Sequence, residues 1–201
     1  MIELYTARTP NGYKISIMLE ETGLPYHVVK LNLSRGEQFT PAFLEINPNA
    51  KIPAIVDLDT GQRIFESGAI LIHLAEKSGL LLPRDARKRM DVLQWLFFQV
   101  GSIGPMLGQL WHFVDLTGEV PYALERYRKE ALRLYGVVDR QLAKAPFIAG
   151  DEYSIADIAN WPWLRVFKSL GIDIEPFPHV KRWLEEVAAR PAVQKGITVP
   201  S

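Results

Sequence analysis

Apolar residues recur with two different periods along this chain of 201 residues, and the change of period divides it. Up to about residue 78, short β-type runs alternate with short helical ones. "IELY" reads as a strand. A helix is expected from about Asn11 to Thr22, with Gly23 as its stop. "YHVVKL" is a second strand. The polar loop "NLSRGEQFTP" then leads into a short helix, "AFLEI", closed by Asn47-Pro48. Two brief strands, "AIVDL" and "RIF", are joined by the turn "DTGQ", and the helix "SGAILIHLAEKSG" follows. The order β-α-β-α-β-β-α predicts a small mixed sheet flanked by helices.

From Gly79 onward the strand-like alternation disappears. Residues 79–86 read as a linker. After it, "KRMDVLQWLFFQVGSIGPMLGQLWHF", "YALERYRKEALRLYGVVDRQLAK", "SIADIANWPWLRVFK" and "HVKRWLEEVAAR" all carry helical spacing. Pro and Gly punctuate them at "TGEVP", "APFIAGDEY" and "DIEPFP". The expectation is an α/β domain over 1–78 and an all-α domain of four to six helices over 87–201.

Composition narrows the function classes. Lys plus Arg and Asp plus Glu number 23 each, so net charge makes no case for nucleic acid or an anionic membrane as main partner. There is no cysteine, which removes disulfide frameworks, thiolate metal sites and a cysteine nucleophile of the protein's own. His27, His73, His112 and His179 lack ligand or triad spacing, so no metal is expected. Met1 runs straight into a strand, without a basic segment and long apolar stretch, and the apolar runs are too short to span a bilayer. A cytoplasmic protein is the expectation.

Three short stretches bear on chemistry. In "TPNG", Thr9 suits a helix N-cap and Pro10 the first helical position, where a missing N–H costs nothing. This admits a plain capped helix, or an anion or thiolate site at a positive helix end. In "NAKIPAIVD", Pro53 stands just before a strand. It is either an ordinary trans proline at a strand start, or a cis one that leaves the Ile52 backbone open to an incoming peptide. In "FESGAIL", Ser67 is an N-cap candidate. That is either an ordinary cap, or a place where the hydroxyl and free N–H groups hold a carboxylate while Glu66 takes an ammonium group. "YSIAD" is of another kind: Ser154 and Asp157 have capping-box spacing and are expected to act in folding alone.

In this order, "TPNGYKI", "NPNAKIPAIVD", "FESGAILIHLAEK" and "YSIADIANWPW" resemble the cytosolic glutathione transferases over essentially the whole chain. "LYTARTPNGYKISIMLEE", "LQWLFFQVGSIGPMLGQ" and "YALERY" are similar to the bacterial nu class, whose members are glutathione-dependent disulfide reductases. The resemblance implies a thioredoxin-like N-terminal domain, an all-α helical-bundle C-terminal domain and a homodimer. It implies that glutathione is the co-substrate, with a disulfide or an electrophile as second substrate. By the same resemblance Thr9 and Asn11 hydrogen-bond the glutathione sulfur, and Ile52, before a cis Pro53, pairs its backbone with the cysteinyl part. Glu66 and Ser67 bind the γ-glutamyl ammonium and carboxylate. Gln38 and Lys51 lie in segments reaching the glycyl end, and Arg126 contacts a second glutathione carboxylate. Tyr5 lies near the tyrosine used by other classes, but "TPNG" argues against it as the catalytic group.

Elementary chemistry is consistent with that assignment. A free thiol titrates near ~8.5, so glutathione alone is only a few per cent thiolate at neutral pH. A helix N-terminus lowers a thiol pKa, and donors from Thr9 and Asn11 add to the effect. Neither side chain is a base at neutral pH, so their part is to stabilise the thiolate. Disulfide reduction is the leading expectation. Conjugation to electrophiles and non-catalytic glutathione binding are the alternatives.

Overall fold

Strand β1 (Ile2–Thr6) sets the pattern of the first half, with Ile2, Leu4 and Thr6 wholly buried and Glu3 and Tyr5 on the opposite face. In the computed structural model, which describes residues 1–116 and 120–201, the chain divides into two compact units. One comprises Met1–Leu82 with Ala189–Ser201, the other Pro83–Ala188.

The first unit carries a four-stranded sheet in the order β2-β1-β3-β4, with β2 (Tyr26–Lys30), β3 (Ala54–Asp57) and β4 (Gln62–Phe65). β1 and β2 are parallel, as a β-α-β crossover requires, and β3 and β4 form an antiparallel hairpin. Helix α1 (Pro10–Thr22) makes the crossover. Gly23 ends it at φ 65, a conformation that suits glycine, and its N–H returns to the Leu19 carbonyl at 2.9 Å. The short helix α2 (Pro41–Leu44) contributes Phe43 to a cluster with Ile46 and Ala54, which Tyr5, Leu31, Ile52 and Val56 pack against. Helix α3 (Ser67–Ser78) packs beside α1. Asp57, buried at the end of β3, ties α3 to the sheet through His73 Nε2 and Lys77 Nζ, both at 2.9 Å.

The second unit holds α4 (Ala86–Phe98), α5 (Gly104–Asp115), α6 (Pro121–Leu142), α7 (Ile155–Leu164) and α8 (Pro178–Ala188), with no strand among its described residues. The long helical pattern around "FFQVGSIGP" resolves into α4 and α5 joined by a π-helical turn over Gln99–Ile103. Of the expected turn "TGEVP", Thr117–Glu119 lie outside the described residues. The capping box forms: Ser154 Oγ accepts from the Ala156 N–H at 3.2 Å, and Asp157 accepts from the Ser154 N–H at 3.0 Å. Asp157 also takes the Ile148 N–H at 3.0 Å and the Trp183 indole N–H at 2.9 Å. Burial pushes its carboxyl up to about 6, while these donors pull the other way.

One boundary differs from the sequence expectation, which ran the helical domain to residue 201. The segment Ala189–Ser201 clusters with the first unit, where α9 (Pro191–Gly196) lies against α1. Polar contacts hold it there. Ser16 Oγ donates to the Gly196 carbonyl at 2.7 Å, Arg190 forks onto Glu21 at 2.6 and 2.9 Å, and Lys195 pairs with Glu20 at 2.7 Å. Among the described residues, no helix is long and apolar enough to cross a membrane.

Candidate functional site

The sheet register brings three of the singled-out stretches to one end of the first unit. Antiparallel pairing sets Tyr5, near the end of β1, opposite Ala54 at the start of β3, and Ala54 opposite Phe65 at the end of β4. The residues just beyond these positions are the Thr9 turn, the Ile52-Pro53 bond and Glu66-Ser67. β2 runs parallel to β1 and ends beside it, with the Leu31 N–H on the Thr6 carbonyl at 2.9 Å, so the segment carrying Gln38 departs from the same end.

At Thr9 the cap forms as its spacing predicts. The Thr9 side chain accepts from the Gly12 N–H at 3.1 Å and Pro10 takes the first helical position. A hydroxyl that accepts here still has its own hydrogen to donate outward. Asn11 sits in the same first turn, half-buried. Gly12 is buried because the backbone passes close by. An added Cβ would collide with the Ala7 carbonyl oxygen and come within 2.5 Å of Thr6 Oγ1. Gly12→Ala is therefore expected to cost about 1–3 kcal/mol of stability by displacing the first turn of α1. A denaturant titration reads the loss, and an unchanged midpoint would mean that the turn shifts freely.

The Ile52-Pro53 bond is cis. The Ile52 N–H and C=O have no main-chain partner among the described residues. Lys51 is exposed, and its carbonyl accepts from Asn47 Nδ2 at 2.6 Å. Gln38, in the 3₁₀ turn Glu37–Phe39, has a buried Oε1 with no hydrogen-bond partner among the described residues.

At α3 the structure departs from expectation. Glu66, not Ser67, is the N-cap, and it makes no side-chain cap bond. Glu66 is exposed and sits at φ 69, a region that costs a non-glycine residue of order 1–3 kcal/mol. Ser67 is the first residue of the helix and 9% exposed, and its Oγ accepts from Lys14 Nζ at 3.0 Å. That bond spans 53 residues, which is why local spacing favoured a cap. Sequence reasoning passed over Lys14 altogether. Its signal lay in the pattern "KISIM": Lys14 through Leu19 are all buried, so the polar members of that run must be satisfied from inside.

Tyr5 points elsewhere. It packs against Phe43 and donates its hydroxyl to Glu3 at 2.7 Å, and burial with that bond pushes its pKa up to about 12. Arg126 lies in the second unit, exposed on α6, and lines a surface groove of about 710 Å³ with Met106, Tyr122 and Tyr127. Its charged neighbours pair with one another, Lys129 with Glu125 and Arg133 with Glu130, whereas Arg126 has no ion pair among the described residues. Among those residues no cluster of His, Asp or Glu is placed to hold a metal ion.

Residues 1–76 match the model of the glutathione S-transferase N-terminal domain, and residues 112–191 match that of the C-terminal domain. The chain belongs to the glutathione S-transferase family. Among characterised family members, it is 50% identical to the disulfide-bond oxidoreductase YfcG of Escherichia coli, over 98% of this chain and 94% of that one. A glutathione transferase from Burkholderia graminis, solved with two glutathione molecules per subunit, superposes with a TM-score of 0.93 at 45% identity, covering 100% of this chain and 88% of the other. A Pseudomonas putida glutathione transferase, solved with one glutathione disulfide per subunit, gives 0.93 at 44% identity, with 100% and 92% covered.

Proposed function

We propose that this glutathione S-transferase family member reduces disulfides with glutathione, using Thr9 and Asn11 to hold the reacting sulfur as a thiolate. The observation that carries the reading is the capped start of α1, where Thr9 keeps a hydroxyl hydrogen to donate beside the first-turn amides. The 50% identity to a disulfide-bond oxidoreductase supports the reaction class. Relatives solved with two glutathiones or one glutathione disulfide support a site that takes a pair of tripeptides.

The remaining assignments follow from the same end of the sheet, except that of Arg126 in the second unit, which follows from the family resemblance. The unpaired Ile52 main chain receives the cysteinyl residue next to cis Pro53, as an added strand would pair. Ser67 and the start of α3 receive the γ-glutamyl carboxylate, and Glu66 receives the ammonium group. Gln38 and Lys51 serve the glycyl end, and Arg126 a carboxylate of the second glutathione. The working form is a homodimer in the cytoplasm.

The chemistry closes on two electrons. A glutathione thiolate attacks one sulfur of the substrate disulfide, a mixed disulfide forms, and the other sulfur leaves as a thiolate that takes up a proton. A second glutathione thiolate attacks the mixed disulfide, releasing the second substrate thiol and glutathione disulfide. The low pKa that favours the first attack comes from hydrogen bonds and the helix end, with no protein base required.

Purified protein assayed with glutathione against a small disulfide and an aromatic halide tests the reaction class. Turnover of the disulfide well above the halide is expected, and the reverse ranking would make it a conjugating transferase. Ser67→Ala is expected to weaken glutathione by about 1–3 kcal/mol, because a carboxylate loses a charge-assisted bond. Unchanged affinity by calorimetry would place that carboxylate elsewhere.

A further inference from the structure

Lys14 is a cation inside the first unit: it is 2% exposed, in the stretch of α1 that also buries Ile15, Ile17, Met18 and Leu19. An ammonium group in such a place costs stability unless it is compensated, and a shape-matched apolar side chain there is often no worse for folding. Burial pushes its pKa down to about 7, and the negative charge of Glu66 opposes the shift. The group it visibly serves is Ser67, whose Oγ accepts from Nζ at 3.0 Å.

That bond has a direction. A lysine ammonium has three hydrogens and no acceptor, so a hydroxyl paired with it must spend a lone pair and aim its own hydrogen away. We propose that Lys14 is a positioning residue for glutathione: bonded behind Ser67, it fixes that hydroxyl as a donor to the γ-glutamyl carboxylate and sets a positive charge one hydrogen bond behind it. This rests on the assignment of that carboxylate to Ser67 made above. The arrangement explains two features together. Ser67 stands at the first helical position, inside the cap, with its oxygen turned to Lys14, and the buried charge gains a further counter-ion when the ligand arrives. Glu66, exposed and next in the chain, remains available to the ligand's ammonium group.

The test compares two peptides on the parent and on Lys14→Met by calorimetry at pH 6, where Lys14 is charged. One is S-methylglutathione, which has no thiol to titrate. The other is its analogue without the γ-glutamyl α-carboxylate. Lys14→Met is expected to weaken S-methylglutathione about tenfold or more, to leave the decarboxylated analogue within about twofold, and to add little to Ser67→Ala in the double variant. The melting temperature of Lys14→Met is expected to equal or exceed that of the parent. Equal loss of both peptides, or additive losses with Ser67→Ala, would overturn the proposal and assign Lys14 to the fold. If Lys14→Met does not fold, Lys14→Leu, which also removes both donor and charge, is read the same way, and failure of both to fold also overturns it. A parent that does not distinguish the two peptides would show that the carboxylate is not at Ser67, which fails the underlying assignment rather than the Lys14–Ser67 geometry.

Discussion

Asn11→Ala is expected to slow glutathione-dependent disulfide reduction by about tenfold to a hundredfold and to raise the pKa of the bound thiol toward its free value. Loss of a donor to an anion in a dry site costs about 2–4 kcal/mol. This end of the unit is wetter: Asn11 is half-buried, while Lys51 and Glu66 are exposed, so water screens part of the effect. The expected loss therefore lies toward the lower end of that range. Thr9→Ala should act in the same direction but mixes two effects, because Thr9 also caps α1 through the Gly12 N–H. Thiolate absorbance followed against pH, together with reductase rate, separates them. A capping effect lowers the melting temperature, whereas a lost sulfur contact moves the pKa. If both single variants keep the parent's pKa and rate, the first-turn amides and the helix dipole of α1 activate the sulfur alone.

Asp157→Ala is the substitution expected to cost most stability, about 3–5 kcal/mol. The carboxylate is wholly buried and accepts from the Ile148 and Ser154 N–H groups, the Ser154 hydroxyl and the Trp183 indole. Each buried donor left without a partner costs about 1–3 kcal/mol, and these losses overlap because the groups relax together. For a domain of this size that corresponds to a fall in melting temperature of roughly 10 °C or more. Asp157→Asn keeps the volume and one acceptor oxygen but turns an amide toward an N–H, so about half the loss is expected. Equilibrium denaturation checks both. A change below about 1 kcal/mol for Asp157→Ala would mean that water reaches these donors and satisfies them.

The features legible in the sequence are those decided within a few residues. Thr9-Pro10 and Ser154-x-x-Asp157 are legible as caps because the capping bonds themselves lie within one helical turn, and Gly23 stops α1 just as locally. The order of strands and helices follows from apolar spacing, and the likeness to glutathione transferases rests on those same short stretches. What escaped was set by partners far along the chain. Ser67 looks like a cap until Lys14 claims its oxygen, and Glu66 gives no local sign of its φ of 69. Nothing in the spacing of "PAVQKG" says which unit it joins. Only the fit of Gly196 against Ile17, where a Cβ would come within 2.7 Å of the backbone, and the ion pairs to Glu20 and Glu21 decide that. A periodic pattern identifies a buried face, but its partner is a matter of three-dimensional complementarity.

The return of Ala189–Ser201 to the first unit fixes an order of events at the ribosome. β1, α1 and the rest of the sheet emerge first, yet the Ser16 bond to Gly196 closes over 180 residues, after every helix of the second unit has been translated. Until then α1, whose first turn carries Thr9 and Asn11, has no α9 against the face that carries Ser16. The nascent sheet domain therefore waits, with one side of α1 unfinished, for residues 189–201 to be translated.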